Sequence, residues 1–514
     1  MSMIPILQLI LLLSWNAASY RILGIFPHVG QSHASMTKAI MTGLASRGHQ
    51  VVVMSHFPLK YPHHNYTDIS LVGSDKIAVE ETPLLNVGTG DVMFSFKMLA
   101  ELGIDMCEKT LSFPPVQNLI KSKERFDLLI IELFNTDCML GFVHKFKVPF
   151  IAVGTSVMMP WGNSRFGNPD NPSFIPHHFL GHSDRMDFGQ RFWNSFFQVT
   201  LQWGYHSYMN VPTERIARKY FGDDLPPLAD IARNTSLLLL NTHFSMNQPR
   251  PFVPNIVEIG GIHLSPPKEL PTDLKEFLDG AKDGAICFSL GSLVKMDTLP
   301  VEKREAFLQA FAELPQRVLW KLETDVIPNR PANVKVVRWL PQLDILRHPN
   351  VKAFVTHGGL MGTTEAVHSG VPMVAIPLFG DQMVNVASYV SEGFAIKLAF
   401  ADITKESVLN ALKAVLYDSS YKENAIRISR AFNDRPMSAQ DTAIYWTEYV
   451  IRHKGAEHLR SAAIDLAWYQ YLLLDVIVVF LLAVLILIFV TVQILKFIIG
   501  LCKSRGSVNK KKRQ

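Results

Sequence analysis

Residues able to do chemistry concentrate between Arg338 and Gln382. There Thr356-His357-Gly358-Gly359 closes the hydrophobic run Ala353-Phe354-Val355 and opens a helix-like one. A strand that turns through glycines into a helix offers free N–H groups and the positive end of the helix dipole, a seat for a diphosphate. The glycines let the backbone come close, and His357 can donate a hydrogen bond to a leaving anion. Trp339 presents a flat face to a nucleobase, a stacking contact worth roughly 1–3 kcal/mol. Gln342 and Glu365 supply a neutral and an anionic acceptor for ribose hydroxyls. Asp381 and Gln382 follow the strand-like Pro372-Met373-Val374-Ala375-Ile376 into a loop, where they can hold sugar hydroxyls. Each residue also has a plainer reading: a core tryptophan, a satisfied polar histidine, a solvated glutamate on a helix face. Taken singly, none of them decides between the two readings. No Asp-x-Asp pair or metal-ligand cluster is found in the sequence, so neither a metal nor a cofactor is expected.

Two α/β halves must position these residues. The first opens with the strand Arg21 to Phe26, a loop from Pro27 to Ser32, a helical run ending near Gly48 and the strand Gln50 to Met54. Strand, helix and strand over about 30 residues make a βαβ unit and imply a parallel sheet. Phe126 to Ile131 and Pro149 to Val153 add buried strands. The second half repeats the pattern from Ala285 to Leu290, Arg317 to Lys321, Val334 to Val337, Ala353 to Thr356 and Pro372 to Ile376. Between them, residues 247–271 carry six prolines and read as a linker. The expected architecture is two doubly wound Rossmann-like domains, residues 20–246 and 272–471, facing a cleft. Ligands in such folds favour the carboxyl ends of the strands. Phe192 to Tyr208 is dense in aromatics. It reads either as a core helix or as a surface that touches a membrane or lines an access path for apolar molecules.

Both ends look like targeting segments. Residues 1–19 hold an apolar run followed by Ala17, Ala18 and Ser19, the pattern of a signal peptide. Val476 to Leu495 carries no charge, so residues 472–499 are expected to form a transmembrane helix. Of the 514 residues 48% are hydrophobic and 18% charged, and the formal charge is +5. Residues 500–514 form a tail with six lysines and arginines and no acid, which leaves the body near neutral and argues against nucleic-acid binding. Basic flanks stay cytoplasmic, so the body is expected in the lumen. The ending Lys511-Lys512-Arg513-Gln514 matches a dilysine retrieval address for the endoplasmic reticulum membrane. Asn65 and Asn234 head glycosylation sequons. The four cysteines contain no CxxC pair, and three scattered luminal thiols suggest no disulfide framework. Homo-oligomerisation stays open.

Trp339, Gln342, the Thr356-His357-Gly358-Gly359 block, Gly362, Glu365 and Asp381-Gln382 together resemble the sugar-donor motif of the UDP-glycosyltransferases, in wording closest to insect members. The resemblance runs over essentially the whole chain. It implies a GT-B fold, a UDP-sugar co-substrate (glucose before glucuronate) and a small lipophilic acceptor. It also implies that Ser292, in the Leu290-Gly291-Ser292 turn, is a second phosphate contact. The general base is expected in the pair Ser32-His33, with His28 competing. The family usually has Asp at the end of the strand Phe126 to Ile131 to orient that histidine. Here Glu132 stands there, with Asp137 in reserve. Met361 and Lys321 depart from the pattern, standing where many relatives have Asn and several have Arg. A hydrolase or phosphorylase of similar shape would need paired carboxylates or a cofactor lysine. A binding protein without turnover would not need His33 beside a carboxylate.

Overall fold

The structure is a computed structural model and describes residues 19–77, 82–84, 91–324 and 327–511. The expected signal peptide, apart from Ser19, and the last three residues of the tail lie outside the described residues. The first strands in chain order are β1 (Arg21–Phe26), β2 (Gln50–Ser55), β3 (Tyr66–Ser70), β4 (Thr82–Pro83), β5 (Leu128–Glu132), β6 (Phe150–Gly154), β7 (Leu237–Leu240) and β8 (Ile256–Glu258). There follow β9 (Ala285–Ser289), β10 (Val294–Lys295), β11 (Arg317–Lys321), β12 (Val334–Val337), β13 (Val351–Thr356), β14 (Met373–Ala375) and β15 (Ala395–Lys397). They form a seven-stranded sheet, β3-β2-β1-β5-β6-β7-β8, and a six-stranded sheet, β12-β11-β9-β13-β14-β15. A short pairing joins β4 to β10, and so links the two halves.

Both sheets are parallel, and central strands such as β1, β5, β6 and β9 read as unbroken apolar runs because helices cover both faces. Alternation along each strand divides the side chains between two layers. In β1, Leu23 and Ile25 enter one core with Leu129 and Ile131, whereas Ile22 and Phe26 enter the other with Val51, Val53 and Ile130. In β9, Ile286 and Phe288 face one layer, and Ala285 and Cys287 the other. Each fully buried Leu, Ile or Phe contributes about 1.5–3 kcal/mol.

The divisions between the halves differ from those expected. The proline-rich stretch 247–271 is not all linker, since β8 lies inside it and forms the edge of the first sheet. The second half does not keep the chain to residue 471. The helix Ala439–Arg452 returns to the first half, where Ala443, Ile444 and Val450 join the core under the helix Gln31–Ser46. Contact is close enough that a Cβ on Gly43 would stand 2.8 Å from Gln440 Nε2. Residues up to Arg460 form one compact unit and Ser461–Gln514 a second.

In that second unit, the helix Leu474–Lys511 carries a stretch long and apolar enough to cross a bilayer. The aromatic segment runs through the helix Phe188–Gly204, started by Asp187 and Gln190 bonding each other's backbone N–H, and into a wider helical turn, Tyr205–Asn210, where Tyr205 is buried. Phe188–Gly204 is not a core helix. Phe188, Phe192, Phe196, Val199 and Trp203 follow one another at helical spacing and are exposed, with Leu201 buried on the opposite face. The cysteines also depart from expectation, because Cys107 and Cys138 form a disulfide between Cα atoms 6.1 Å apart. Cys287 is free and buried.

Candidate active site

Strand order reverses between β1 and β5 in the first sheet and between β9 and β13 in the second. Loops leaving the carboxyl ends of strands diverge at such points and open a crevice. At the first reversal, the loop after β1 enters the helix Gln31–Ser46, which carries His33 in its first turn. Glu132 is the last residue of β5, and Thr155 directly follows β6. His33 Nδ1 lies 2.5 Å from Glu132 Oε1. The Thr155 hydroxyl donates to the same oxygen at 2.8 Å and lies 2.9 Å from His33 Nδ1. Burial alone would push the Glu132 carboxyl up. The His33 charge and hydrogen bond, His28 and Thr155 together outweigh it and hold the group below its usual range. An imidazole bound through Nδ1 to a carboxylate has Nε2 left to accept a proton.

His28 stacks on His33 with ring centroids 3.6 Å apart, and Phe134 meets both rings edge-on. Burial, then the neighbouring His33, pushes His28 down to about 3, and its Nδ1 accepts from the Gly30 N–H at 2.9 Å. Asp137, the reserve carboxylate, is not brought to His33. Past β5 the chain winds into a short helical turn at Cys138–Leu140. Asp137 there takes two hydrogen bonds from Arg165, each 2.6 Å, and one from the Tyr205 hydroxyl at 2.8 Å.

At the second reversal, Thr356 ends β13 and Gly358 turns the chain at φ 82° into the helix Leu360–His368. Glycines make the slot for His357. A Cβ at Gly359 would lie 2.3 Å from its Nε2, and one at Gly291 would lie 2.7 Å from its Cε1. Burial pushes His357 down to about 4, so the ring is neutral near pH 7, and its Nδ1 is without a hydrogen-bond partner. Gln342 donates to Glu365 at 2.7 Å. Burial pushes Glu365 up to about 7 against the opposing pull of that bond. Gly362 is tight against the pair, since a Cβ there would come within 3.0 Å of Gln342 Nε2. Trp339 is 56% exposed, with the Lys321 ammonium 5.7 Å from its ring centroid. Lys321 also reaches Glu323 at 3.4 Å. Asp381 opens the helix Gln382–Ser391. The side-chain oxygen of Gln382 is already committed, accepting from the N–H groups of Leu378 and Phe379, so its amide NH2 alone remains for a ligand. The Met361 sulfur lies 3.5 Å from Asn241 Nδ2.

One cavity of about 540 Å³ unites the two reversals. His28, His33 and every expected donor-side residue line it: Ser292, Trp339, Gln342, Thr356, His357, Gly359, Gly362, Glu365, Asp381 and Gln382. Met98, Leu99, Leu102 and Phe134 give it apolar lining, and Phe134 meets the His33 ring at 4.8 Å. Among the described residues no group of His, Cys, Asp and Glu is arranged to hold a metal. Sequence reasoning missed Thr155. Its position directly after a buried strand, like that of Glu132 at a strand end, is the feature that marks it.

A family profile described as UDP-glucoronosyl and UDP-glucosyl transferase matches residues 21–514. The chain belongs to the UDP-glycosyltransferase family. UDP-glucosyltransferase 2 of Dactylopius coccus is 44% identical over 475 residues, 92% of this chain and 92% of that relative. UDP-glycosyltransferase UGT5 of the same organism is 43% identical over 467 residues, 90% and 89% of the two chains. Human UDP-glucuronosyltransferase 2A3 is 35% identical over 470 residues, 87% of each. Among solved structures, the glycotransferase of kitacinnamycin superposes with a TM-score of 0.58 at 17% identity, covering 84% of this chain and 99% of its own. The two facing parallel sheets are therefore the GT-B fold of a UDP-glycosyltransferase, an enzyme that uses a UDP-sugar as donor.

Proposed function

We propose that the enzyme moves a hexose, glucose by preference, from a UDP-sugar to a hydroxyl of a small lipophilic acceptor, with inversion and without a metal ion. The observation that carries this reading is the single cavity lined by His33 from one sheet and His357 from the other. The donor lies along the second half. Its uracil is on Trp339, its ribose at Gln342 and Glu365, and its diphosphate at Ser292, Thr356, His357 and the helix end at Gly359. Asp381 and Gln382 hold the hexose. The acceptor rests on the wall of Met98, Leu99, Leu102 and Phe134, with its hydroxyl at His33. Nε2 of His33 takes the hydroxyl proton as the oxygen forms its bond to the anomeric carbon. Glu132 stabilises the imidazolium. The bond from that carbon to the β-phosphate oxygen breaks, and UDP leaves with the electron pair, stabilised by the His357 N–H and the helix dipole.

His357→Ala and Glu365→Ala should each weaken UDP binding by about 1–3 kcal/mol, the cost of removing one buried hydrogen-bond partner. Calorimetry finding wild-type affinity in both would defeat the donor assignment. Glucose is favoured by the similarity to a UDP-glucosyltransferase of Dactylopius coccus. A competition assay in which UDP-glucuronate outcompetes UDP-glucose would reverse that choice.

The enzyme is proposed to sit in the endoplasmic reticulum membrane, type I, with its catalytic body in the lumen. The apolar helix ahead of the basic tail, the sequons at Asn65 and Asn234 and the Cys107–Cys138 disulfide all favour an oxidising lumen. Asn234 is exposed and Asn65 half-buried. Chain ended before Asp475 should leave the membrane on carbonate extraction, and protease on sealed microsomes should remove the tail alone. Digestion of the body would overturn the orientation.

A further inference from the structure

We infer that His263 is a ribose contact of the donor site, a residue outside the donor motif and contributed by the loop after β8. This rests on the reading of the cavity as a UDP site. His263 lines that cavity, its side chain is 5% exposed, and neither ring nitrogen has a hydrogen-bond partner. The Met361 carbonyl stands near the ring without completing a hydrogen bond. A buried polar group left unpartnered destabilises the free protein, and a ligand that supplies the missing bonds recovers that loss.

Position decides which part of the ligand this is. His263 Nε2 is 4.0 Å from Glu365 Oε1, beyond hydrogen-bond range. A hydroxyl oxygen bonded to both at about 2.8 Å, at a tetrahedral angle, would hold them about 4.6 Å apart, so the gap is close to the size of one hydroxyl. Glu365 stands five residues beyond Leu360, the first residue of its helix. At 1.5 Å per residue that is about 7.5 Å along the axis from the end that receives phosphate. The group one step along a nucleotide from its phosphates is the ribose. The chemistry agrees. Burial pushes His263 down to about 4, so it meets the ligand neutral, with one N–H to donate and one nitrogen to accept. Such a ring suits a hydroxyl, itself both donor and acceptor, better than a diphosphate, which only accepts.

The test is calorimetry of the whole enzyme with UDP, 2′-deoxy-UDP and 3′-deoxy-UDP. Wild type should bind UDP at least about tenfold more tightly than one of the deoxy analogues. His263→Phe, which keeps the ring shape and removes both nitrogens, should lose about tenfold for UDP and little for that analogue. Its melting temperature without ligand should hold or rise, which separates the effect from a folding defect. His263→Gln, a smaller perturbation, should discriminate to an intermediate degree. Full wild-type discrimination in both variants would overturn the ribose contact while leaving the donor site intact. Wild type that fails to bind UDP would instead overturn the donor site itself.

Discussion

His33→Ala should leave UDP affinity close to wild type and reduce turnover by about 10²–10⁴-fold, the usual contribution of a positioned general base. The two readouts should separate because His33 stands on the first sheet's side of the cavity and the proposed UDP seat on the second's. Glu132→Gln should reproduce the loss, since a neutral amide cannot stabilise the imidazolium proposed to form at His33. The double variant should be little worse than His33→Ala alone, because residues that act as a unit are not additive. Acceptor acidity gives a second check: a more acidic phenol needs less help from a base and should lose less than an aliphatic alcohol. Full activity of His33→Ala toward an aliphatic alcohol, with activity abolished in His28→Ala, would transfer the role to His28. The geometry argues against that transfer, because Glu132 bonds to His33 and the His28 Nδ1 is occupied by the Gly30 N–H.

Asp137→Asn should do the opposite, leaving turnover per folded molecule near wild type and lowering stability by about 3–5 kcal/mol. The variant weakens a buried ion pair and leaves the Arg165 guanidinium without its counter-charge. Tyr205 loses its hydrogen-bonded anion at the same time, while its ring stays stacked on Trp161 at 4.3 Å. Thermal unfolding and a rate normalised to UDP-binding sites would measure both effects. A variant that melts like wild type but has lost its turnover would return Asp137 to the catalytic centre.

The contrast between these carboxylates marks what was legible in the sequence. Strand ends were readable, because unbroken apolar runs such as Phe126 to Ile131 stop at a polar residue, and Glu132 is that residue. The turn proposed to seat the donor was readable in its backbone for the same reason, with Thr356 closing a strand and glycines following. Strands outside that pattern were not. β3 is half-exposed and largely polar, and β8 lies in a proline-rich stretch that resembles a linker. The role of Asp137 depends on Arg165 and Tyr205, 28 and 68 residues away, and no local pattern reports such a meeting. The Cys107–Cys138 bond was missed similarly, since spacing alone does not reveal which thiols the fold brings together. The exposed face of Phe188–Gly204 has the periodicity of a buried one, and burial is a property of the neighbours rather than of the helix.

The returning helix Ala439–Arg452 also bears on how the protein is made. A ribosome delivers the first sheet and its early helices well before Ala443, Ile444 and Val450, which complete the layer over Ile22, Phe26 and Val51. Until nearly two hundred residues beyond β8 have emerged, the nascent amino-terminal half carries a bare apolar face beside Gly43, of the kind that chaperones hold. A chimera spliced between relatives at the middle of the chain would join a glycine-lined groove from one parent to a helix evolved against another. Swapping residues 439–460 together with the amino-terminal half keeps groove and helix matched, so the natural unit of exchange is discontinuous in sequence.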